Sequence, residues 1–229
     1  MRGKTLVVLG ILLAFFAIQS CSSNPEQALL SRYFNAVTMN DNATMASMAL
    51  EPAQWEVASW EVVSVSPEKV EPIILADLNK KEIDAKKAQD GQIGPTMDAD
   101  SALSNAKDEL DLARTAAAKA IAKKKVEEAQ AKYDAERKTF EEFKKTYTSA
   151  KAAAATEEQI TLFSLGLREL AGVRDLTGSV HSKDVVVKIK TKQGAVKNYR
   201  LPMRMYEVKG EAGQRLPSRW VIIRFEPMA

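Results

Sequence analysis

The feature that most constrains the fold is a long segment, residues 68–172, that is rich in Ala, Lys, Glu and Asp. Gly and Pro, the residues that most often interrupt a helix, occur there at only a few positions. From Asp98 as far as Thr156 no helix breaker occurs at all. The sequence therefore predicts helices much longer than those of an ordinary small domain.

This segment divides into two predicted helices. Residues 68–89 form the first, and the cluster at residues 90–95 (DGQIGP) is the predicted break. In the second, small and apolar residues recur at the three-four spacing of a coiled-coil seam. The early seam comprises Leu103, Ala106, Leu110, Ala113 and Ala117, and the later one Val126, Ala129, Tyr133, Phe140, Phe143, Tyr147 and Ala150. The seams are out of phase, which predicts a stutter or a change of packing partner at residues 120–125. We expect residues 67–155 to form an antiparallel coiled-coil hairpin.

Two short helices and a strand are predicted before this segment. A helix that begins at Pro25 carries one apolar face, formed by Leu29, Leu30, Tyr33, Phe34 and Val37. Asn40-Asp41-Asn42 ends it, and residues 43–50 form a second amphipathic helix. Residues 55–65 are β-branched and aromatic, which favours a strand.

The C-terminal part returns to a small domain. Thr156-Glu157-Glu158-Gln159 has the form of a capping box and predicts a new helix that ends near Gly172. Strands at residues 185–190, 199–206 and 220–225, joined by short turns, predict an antiparallel meander. The predicted fold class is α+β: a small antiparallel sheet of about four strands packed on helices, with the hairpin as an insertion.

The N-terminus carries the most specific motif. A charged start precedes the apolar run 6–18, which has the length of a signal-peptide core and is too short for an ordinary spanning helix. The tetrapeptide Ile18-Gln19-Ser20-Cys21 resembles the lipobox of bacterial lipoproteins. The resemblance implies cleavage before Cys21, a diacylglycerol thioether on its sulfur and an acyl chain on its new amino group. The following Ser22-Ser23, in place of Asp, favours the outer membrane over the inner membrane.

Two alternatives remain for the N-terminus. In one, Cys21 is a free thiol within an uncleaved membrane anchor, and in the other an ordinary signal peptidase cuts nearby. The chain has a single Cys, at the position that the lipobox requires. Disulfides, Cys-type zinc sites and Cys nucleophiles are therefore excluded from the rest of the chain.

The order of elements in the N-terminal part resembles the nuclear-transport-factor-2-like, or cystatin-like, α+β fold. The resemblance rests on Tyr33 and Phe34 of the first helix, the second helix up to Leu50 and the strand opened by Trp55. It implies a curved sheet wrapped around a long helix. The expected domains are a signal peptide (1–20), two halves of this fold (21–66 and 156–229) and the hairpin between them (67–155).

Few residues in the sequence support a catalytic role. Enzymes of that fold use an Asp or a His in a cone-shaped pocket, but the single histidine, His181, is expected at a polar strand start, and Asp41 most simply caps the second helix. No hydrolase elbow, dinucleotide-binding or P-loop motif occurs. The prediction is a non-enzymatic protein with no catalytic residue, no cofactor and no metal.

Two binding surfaces are candidates. A hydrophobic pocket, or else plain core, would be lined by Tyr33, Phe34, Trp60, Met203 and Met205. A basic face that meets lipid phosphates or an acidic partner, or else simply water, would consist of Arg200, Arg204, Arg219 and Arg224. Trp55 and Trp60 are five residues apart, so a regular strand would place them on opposite faces.

The resulting functional prediction is a lipid-anchored cell-envelope protein that acts as a docking or scaffold lipoprotein through its coiled-coil arm. The alternative is a periplasm-facing protein that binds a small hydrophobic ligand or lipid in the α+β cone. The expected partners are the membrane, through Cys21, and a protein on the hairpin. Nucleic acid is not expected in this compartment, and an oligomer remains open.

Overall fold

The computed structural model describes residues 25–53, 55–209 and 215–228. It shows an α+β fold with a six-stranded, open antiparallel sheet and two very long helices. The helices are α1 (Pro25–Met39), α2 (Asn42–Met48), α3 (Leu75–Leu112) and α4 (Ala116–Leu165). The strands are β1 (Val57–Val65), β2 (Lys69–Pro72), β3 (Thr177–Thr191), β4 (Val196–Lys209), β5 (Val221–Ile222) and β6 (Glu226–Pro227). The expected signal peptide and Cys21 lie outside the described residues.

Strand β3 organises the sheet. It pairs with β4 from Thr177↔Lys209 to Lys190↔Val196 without a register shift. Its other edge is shared, since β1 pairs with the second half of β3 and β2 with the first half. The short strands β5 and β6 pair with different parts of β4. The expected strands at 185–190 and 199–206 are parts of much longer ones. Of the expected strand at 220–225 only Val221–Ile222 (β5) is a strand, and β6 (Glu226–Pro227) begins after that range.

The two faces of the sheet support two separate apolar cores. Side chains alternate between the faces along a strand. Val185 and Val187 of β3 lie in one core, with Met203 of β4, whereas Val180 and Tyr206 lie in the other. Helices α1 and α2 cover the first face and the end of α4 covers the second. We call these the α1 face and the α4 face.

Aromatic side chains join α1 to the sheet. The Phe34 ring stacks on Trp60 with centroids 4.8 Å apart, and the Tyr33 ring lies 5.2 Å from Phe225. The Tyr33 hydroxyl accepts a hydrogen bond of 2.8 Å from the backbone N–H of Ala53. Because each ring buries a large apolar area, these contacts fix the position of α1 on the sheet.

Helix α3 starts later and extends further than the sequence predicts. Lys69–Pro72 form strand β2, so the helix begins at Leu75 and the expected start at Glu68 is wrong. The break expected at residues 90–95 is also wrong, because α3 continues through them with Pro95 inside the helix. An internal proline costs roughly 3 kcal/mol. Packing of α3 along α4 offsets this cost, since tertiary contacts supply most of the stability of helices in proteins.

Helix α4 is continuous where the sequence predicts interruptions. The chain reverses at residues 113–115, so the prediction that the early seam from Leu103 to Ala117 lies on one helix is wrong. Residues 120–125, where a stutter or a change of packing partner is expected, lie inside α4. No new helix begins at Thr156, because the residues of the expected capping box already have helical neighbours on their N-terminal side. The helix ends at Leu165, before Gly166 with φ 69°, and not near Gly172.

The two long helices lie antiparallel and in contact with each other. Near the connection, the Lys125 ammonium is 2.6 Å from the Glu109 carboxylate, and further back the Gln92 amide donates a 2.5 Å hydrogen bond to Glu136. The most deeply buried side chains along their contact are small or aliphatic: Ala99, Leu103, Ala106 and Ala122. We call the paired residues 75–153 the arm and the connection at residues 113–115 its tip.

Candidate functional site

The residues predicted for a ligand pocket lie mostly in the core of the α1 face. Tyr33, Phe34 and Met203 are at most 1% exposed and pack with the half-buried Trp60 in one cluster. Met205 is half-buried opposite His181 in the β3–β4 ladder and belongs to neither core. Tyr33, Phe34, Trp60 and Met203 pack against one another and fill the space between α1 and the sheet.

The two neighbouring tryptophans lie on the same side, and the prediction that they face opposite sides is wrong. Trp60 stacks on Phe34, while the ring of Trp55 lies 5.1 Å from that of Tyr199, and both pack on the α1-face core. Trp55 precedes β1, and the register of β1 shifts just after Val57. The alternation rule for a regular strand therefore does not apply between them.

A surface cleft of about 370 Å³ opens beside this core, between the α1–α2 turn and the entry to β1. Its walls are polar and apolar in similar proportion: Val37, Asn40, Asn42, Met45, Ala46, Pro52, Ala53, Trp55 and Glu56. None of the five predicted pocket residues lines it. The sequence offers little signal for it, because its walls come from three separate elements.

The predicted basic face is divided, and each of its arginines has a partner within the chain. Arg200 and Arg224 share the carboxylate of Glu226, with hydrogen bonds of 2.7 Å and 2.6 Å. These bonds hold the pKa of Glu226 below its usual range. Arg204 instead binds Glu157 of α4, as described below. The Arg219 guanidinium donates a 3.3 Å hydrogen bond to the Phe163 carbonyl of α4 and has no carboxylate partner among the described residues. The positive charge available to an acidic partner is therefore smaller than the sequence suggests.

His181 lies inside β3, and not at the strand start where the sequence places it. Its Nδ1 is 2.6 Å from the Glu68 carboxylate, and the Lys183 ammonium is 3.1 Å from Glu68 and 3.4 Å from Glu26. Hydrogen bonds from His181 and then from Lys183 hold the pKa of Glu68 below its usual range. The Lys183 ammonium also lies 5.0 Å above the Trp220 ring. This network ties α1 and the β1–β2 connection to β3, which is a structural role.

A second polar network joins α4 to the sheet. Glu157, which is only 7% exposed, accepts a 2.5 Å hydrogen bond from the Tyr206 hydroxyl and a 2.9 Å hydrogen bond from Arg204. Burial, and then the charge of Glu157, raise the pKa of Tyr206, so the phenol stays protonated. The Ser164 hydroxyl donates to the Arg219 carbonyl and accepts from the Tyr206 backbone N–H. These bonds satisfy the polar groups that α4 buries against β4.

A third network fixes the base of the arm. Arg174, in the short 3₁₀ helix Val173–Asp175, lies 2.7 Å from Glu158 of α4 and 2.7 Å from Glu82 of α3. Its guanidinium also donates to the Asn79 side chain at 3.2 Å. One planar cation therefore bridges both helices where they leave the domain. Residues so far apart in sequence carry no local signal of this contact.

The arm itself exposes large apolar side chains to solvent. Five of them are between 44% and 78% exposed: Ile83, Ile93, Met97, Leu112 and Ile121. Single exposed apolar residues are common on protein surfaces. Here, however, Leu112 and Ile121 flank one shallow groove at the tip. This groove is an apolar surface that an associating protein could cover.

Two features are absent from the described residues. Their acidic and histidine side chains form no group that could hold a metal ion. Within the same residues, no helix combines the length and the apolar character needed to cross a bilayer.

Comparison with protein-family models, with curated proteins and with solved structures found no match to this chain.

Proposed function

We propose that this protein is a lipid-anchored component of the bacterial cell envelope that docks a protein partner through its arm and catalyses no reaction. In this proposal Cys21 is acylated and the mature chain faces the periplasm from the outer membrane. The lipobox-like tetrapeptide Ile18-Gln19-Ser20-Cys21 supports the anchor.

The observation that carries the docking role is the length of the arm relative to the domain. Helices α3 and α4 have 38 and 50 residues, which correspond to about 57 Å and 75 Å of helix. Of the two long helices, only the end of α4, from about Ile160, contributes buried residues to the sheet cores. Most of the arm therefore adds little to the stability of the domain, and its exposed surface is available for contacts.

We further propose that α3 and α4 pack as a coiled coil. Buried Ala99, Leu103 and Ala106 recur at the three-four spacing of a seam. Along α4, the half-buried positions Tyr133, Phe140 and Tyr147 continue at heptad spacing. Alanine at a seam allows close approach of two helices but buries little apolar area, so the arm should be less stable than the domain.

The α+β part supports a proposed relationship to the nuclear-transport-factor-2-like fold. Two short helices precede the first strand, and α1 packs on an antiparallel sheet with the strand order β1-β3-β4-β5. In this proposal the arm interrupts the domain between β2 and β3. Such scaffolds host many functions, so the relationship alone assigns none.

The docking role is tested by shortening the arm without damaging its base. Residues 87–145 are replaced by a short Gly-Ser linker, which is feasible because Ala85 and Thr146 line one groove and so lie close together. Asn79, Glu82 and Glu158, which hold Arg174, are retained. Pull-downs from detergent-solubilised envelope are then compared for the full chain and the shortened chain.

We expect the full chain to pull down an envelope protein that the shortened chain does not pull down. A circular dichroism melt of the shortened chain is the control, because a cooperative transition shows that the domain still folds. A partner retained at equal level by both chains would contradict docking through the arm.

A further inference from the structure

The tip of the arm carries an apolar pair with charges of opposite sign on either side. Leu112 is 78% exposed and Ile121 is 64% exposed. They line one groove with Glu109 and Lys125, together with the small side chains Ala113, Ala118 and Ala122. We call this surface the tip groove.

Within one helical turn of the exposed apolar pair, the charged residues of α3 are acidic and those of α4 are basic, while Arg114 lies in the connection between the helices and Lys107 lies further back on α3. Asp108 and Glu109 lie one turn from Leu112 on α3, and Lys124 and Lys125 lie one turn from Ile121 on α4. The groove therefore has an acidic α3 side and a basic α4 side, with apolar side chains between them.

These charges are only weakly satisfied within one chain. The Glu109–Lys125 pair is 2.6 Å long, but both side chains are 55% exposed. Lys124 is 3.9 Å from Glu128, and these side chains are 79% and 69% exposed. Asp108 has no ion pair among the described residues. Exposed pairs of this kind contribute between about 0 and 1 kcal/mol, so the carboxylates and ammonium groups remain available to a second surface.

We propose that the tip groove is an interface between two copies of this chain, arranged with their arms parallel. A two-fold interface brings the same surface together from both copies, so it must be self-complementary. A two-fold axis along the arms keeps every residue at the same height and places α3 of one copy against α4 of the other. Asp108 and Glu109 then meet Lys124 and Lys125 of the second copy, and Leu112 meets Ile121.

The same charges disfavour an antiparallel arrangement. A two-fold axis across the arms would place α3 on α3 and α4 on α4, so that like charges would face each other. Parallel arms are the geometry available to two copies anchored in one membrane. A second copy of the chain is one partner for the arm in the proposed docking function. The dimer depends on the tip groove and does not require a different envelope protein.

The association should be weak in solution. The tip groove is formed by a few turns of two helices, and a standard stable interface buries about 800 Å² per partner. Anchoring in one membrane would raise the effective concentration and strengthen the dimer. Measurements therefore use the full chain reconstituted in lipid nanodiscs large enough for two copies, and the full chain in detergent at rising concentration.

The test exploits the charge segregation. One variant, Lys124→Glu with Lys125→Glu, makes both sides of the tip groove acidic, and the other, Asp108→Lys with Glu109→Lys, makes both sides basic. We expect native mass spectrometry in detergent to show dimers for the wild-type chain and at least a tenfold weaker dimer for each variant alone. An equimolar mixture of the two variants should restore the dimer, because both contacts are then between opposite charges. This restoration also shows that neither variant has simply failed to fold.

The relative orientation of the two arms is measured by the distance between spin labels. A spin label on Lys138→Cys lies 17 residues from Ile121, or about 25 Å along the helix. Parallel arms keep two such labels within about 30 Å, whereas antiparallel arms separate them by about 50 Å. A wild-type chain that stays monomeric, a dimer unaffected by both charge variants, or labels at the longer distance would each overturn the proposal. Capture of an envelope partner by a monomeric wild-type chain would overturn this inference alone and leave the docking role standing.

Discussion

At the residue scale, the contacts that fix this architecture are polar side chains enclosed where the arm meets the sheet. Glu157 is nearly buried, and its carboxylate is compensated by the Tyr206 hydroxyl and the Arg204 guanidinium. A buried carboxylate that lost these partners would be costly, because it would be removed from water without replacement. This arrangement sets the position of α4 on the α4 face.

Replacing Tyr206 with Phe should destabilise the protein by about 1–3 kcal/mol, because one hydrogen bond to a buried carboxylate is lost while the ring remains. Urea unfolding at pH 7, followed by circular dichroism, measures this difference. The difference should persist up to about pH 10 and shrink at higher pH. The reason is that the folded state raises the pKa of Tyr206, so the unfolded tyrosine ionises first and the stability that it contributes is lost as pH rises.

Tyr199→Phe is the matched control, since the Tyr199 ring packs on Trp55 and its hydroxyl has no hydrogen bond among the described residues. This variant should change the free energy of unfolding by less than about 0.5 kcal/mol. Equal changes in the free energy of unfolding for the two substitutions would show that the hydrogen bond from Tyr206 to Glu157 contributes no more to stability than the Tyr199 hydroxyl.

Local polar contacts are predictable from sequence at this scale, and distant ones are not. Asp41 was predicted to cap the second helix, and it accepts a 3.0 Å hydrogen bond from the Thr44 backbone N–H. A cap lies within three residues of its donor, so its signal is contained in the sequence. Lys183 and Glu26 are brought together only when β3 packs under α1.

At the element scale, glycine has opposite roles at two places in the long helices. Gly166 ends α4 in a left-handed conformation with φ 69°, which residues with a Cβ rarely adopt. Gly91 lies inside α3, and a Cβ added there would meet no atom within 4 Å. Replacing glycine with alanine should therefore lower the stability at Gly166 and raise it at Gly91.

Gly166→Ala should destabilise the protein by about 1 kcal/mol because of the strained backbone. Gly91→Ala should stabilise α3 by about 0.5–1 kcal/mol, because alanine loses less backbone freedom in a helix. Thermal unfolding by circular dichroism compares the two variants with the wild-type chain. A destabilising effect of Gly91→Ala would mean that α3 is not a regular helix at this position.

At the scale of the whole molecule, the proposed anchor determines where the arm acts. We expect the wild-type chain, expressed in a bacterium that processes lipoproteins, to enter the detergent phase in a Triton X-114 separation. Its intact mass should equal that of residues 21–229 plus the lipid chains. Cys21→Ser removes the sulfur that carries the lipid in this proposal, so this variant should lose both properties.

Ser22→Ala is the control for the anchor, because it changes the neighbouring residue and leaves the thiol. This variant should behave as the wild-type chain does. A wild-type mass without lipid, or equal partitioning of the wild-type chain and the Cys21→Ser variant, would contradict the anchor.

The sequence by itself determined the features that depend on neighbouring residues. The α+β class, the apolar face of α1 and the presence of very long helices all follow from local composition and spacing, and the structure contains them. Only the tertiary structure decided where the two long helices begin and where the chain reverses between them. Residues 90–95 are helical and Lys69–Pro72 are extended because α4 and β3 supply partners that outweigh local preference. The two cores on opposite faces of the sheet, and the networks around Glu157 and Arg174, join residues far apart in sequence, so no local pattern could reveal them.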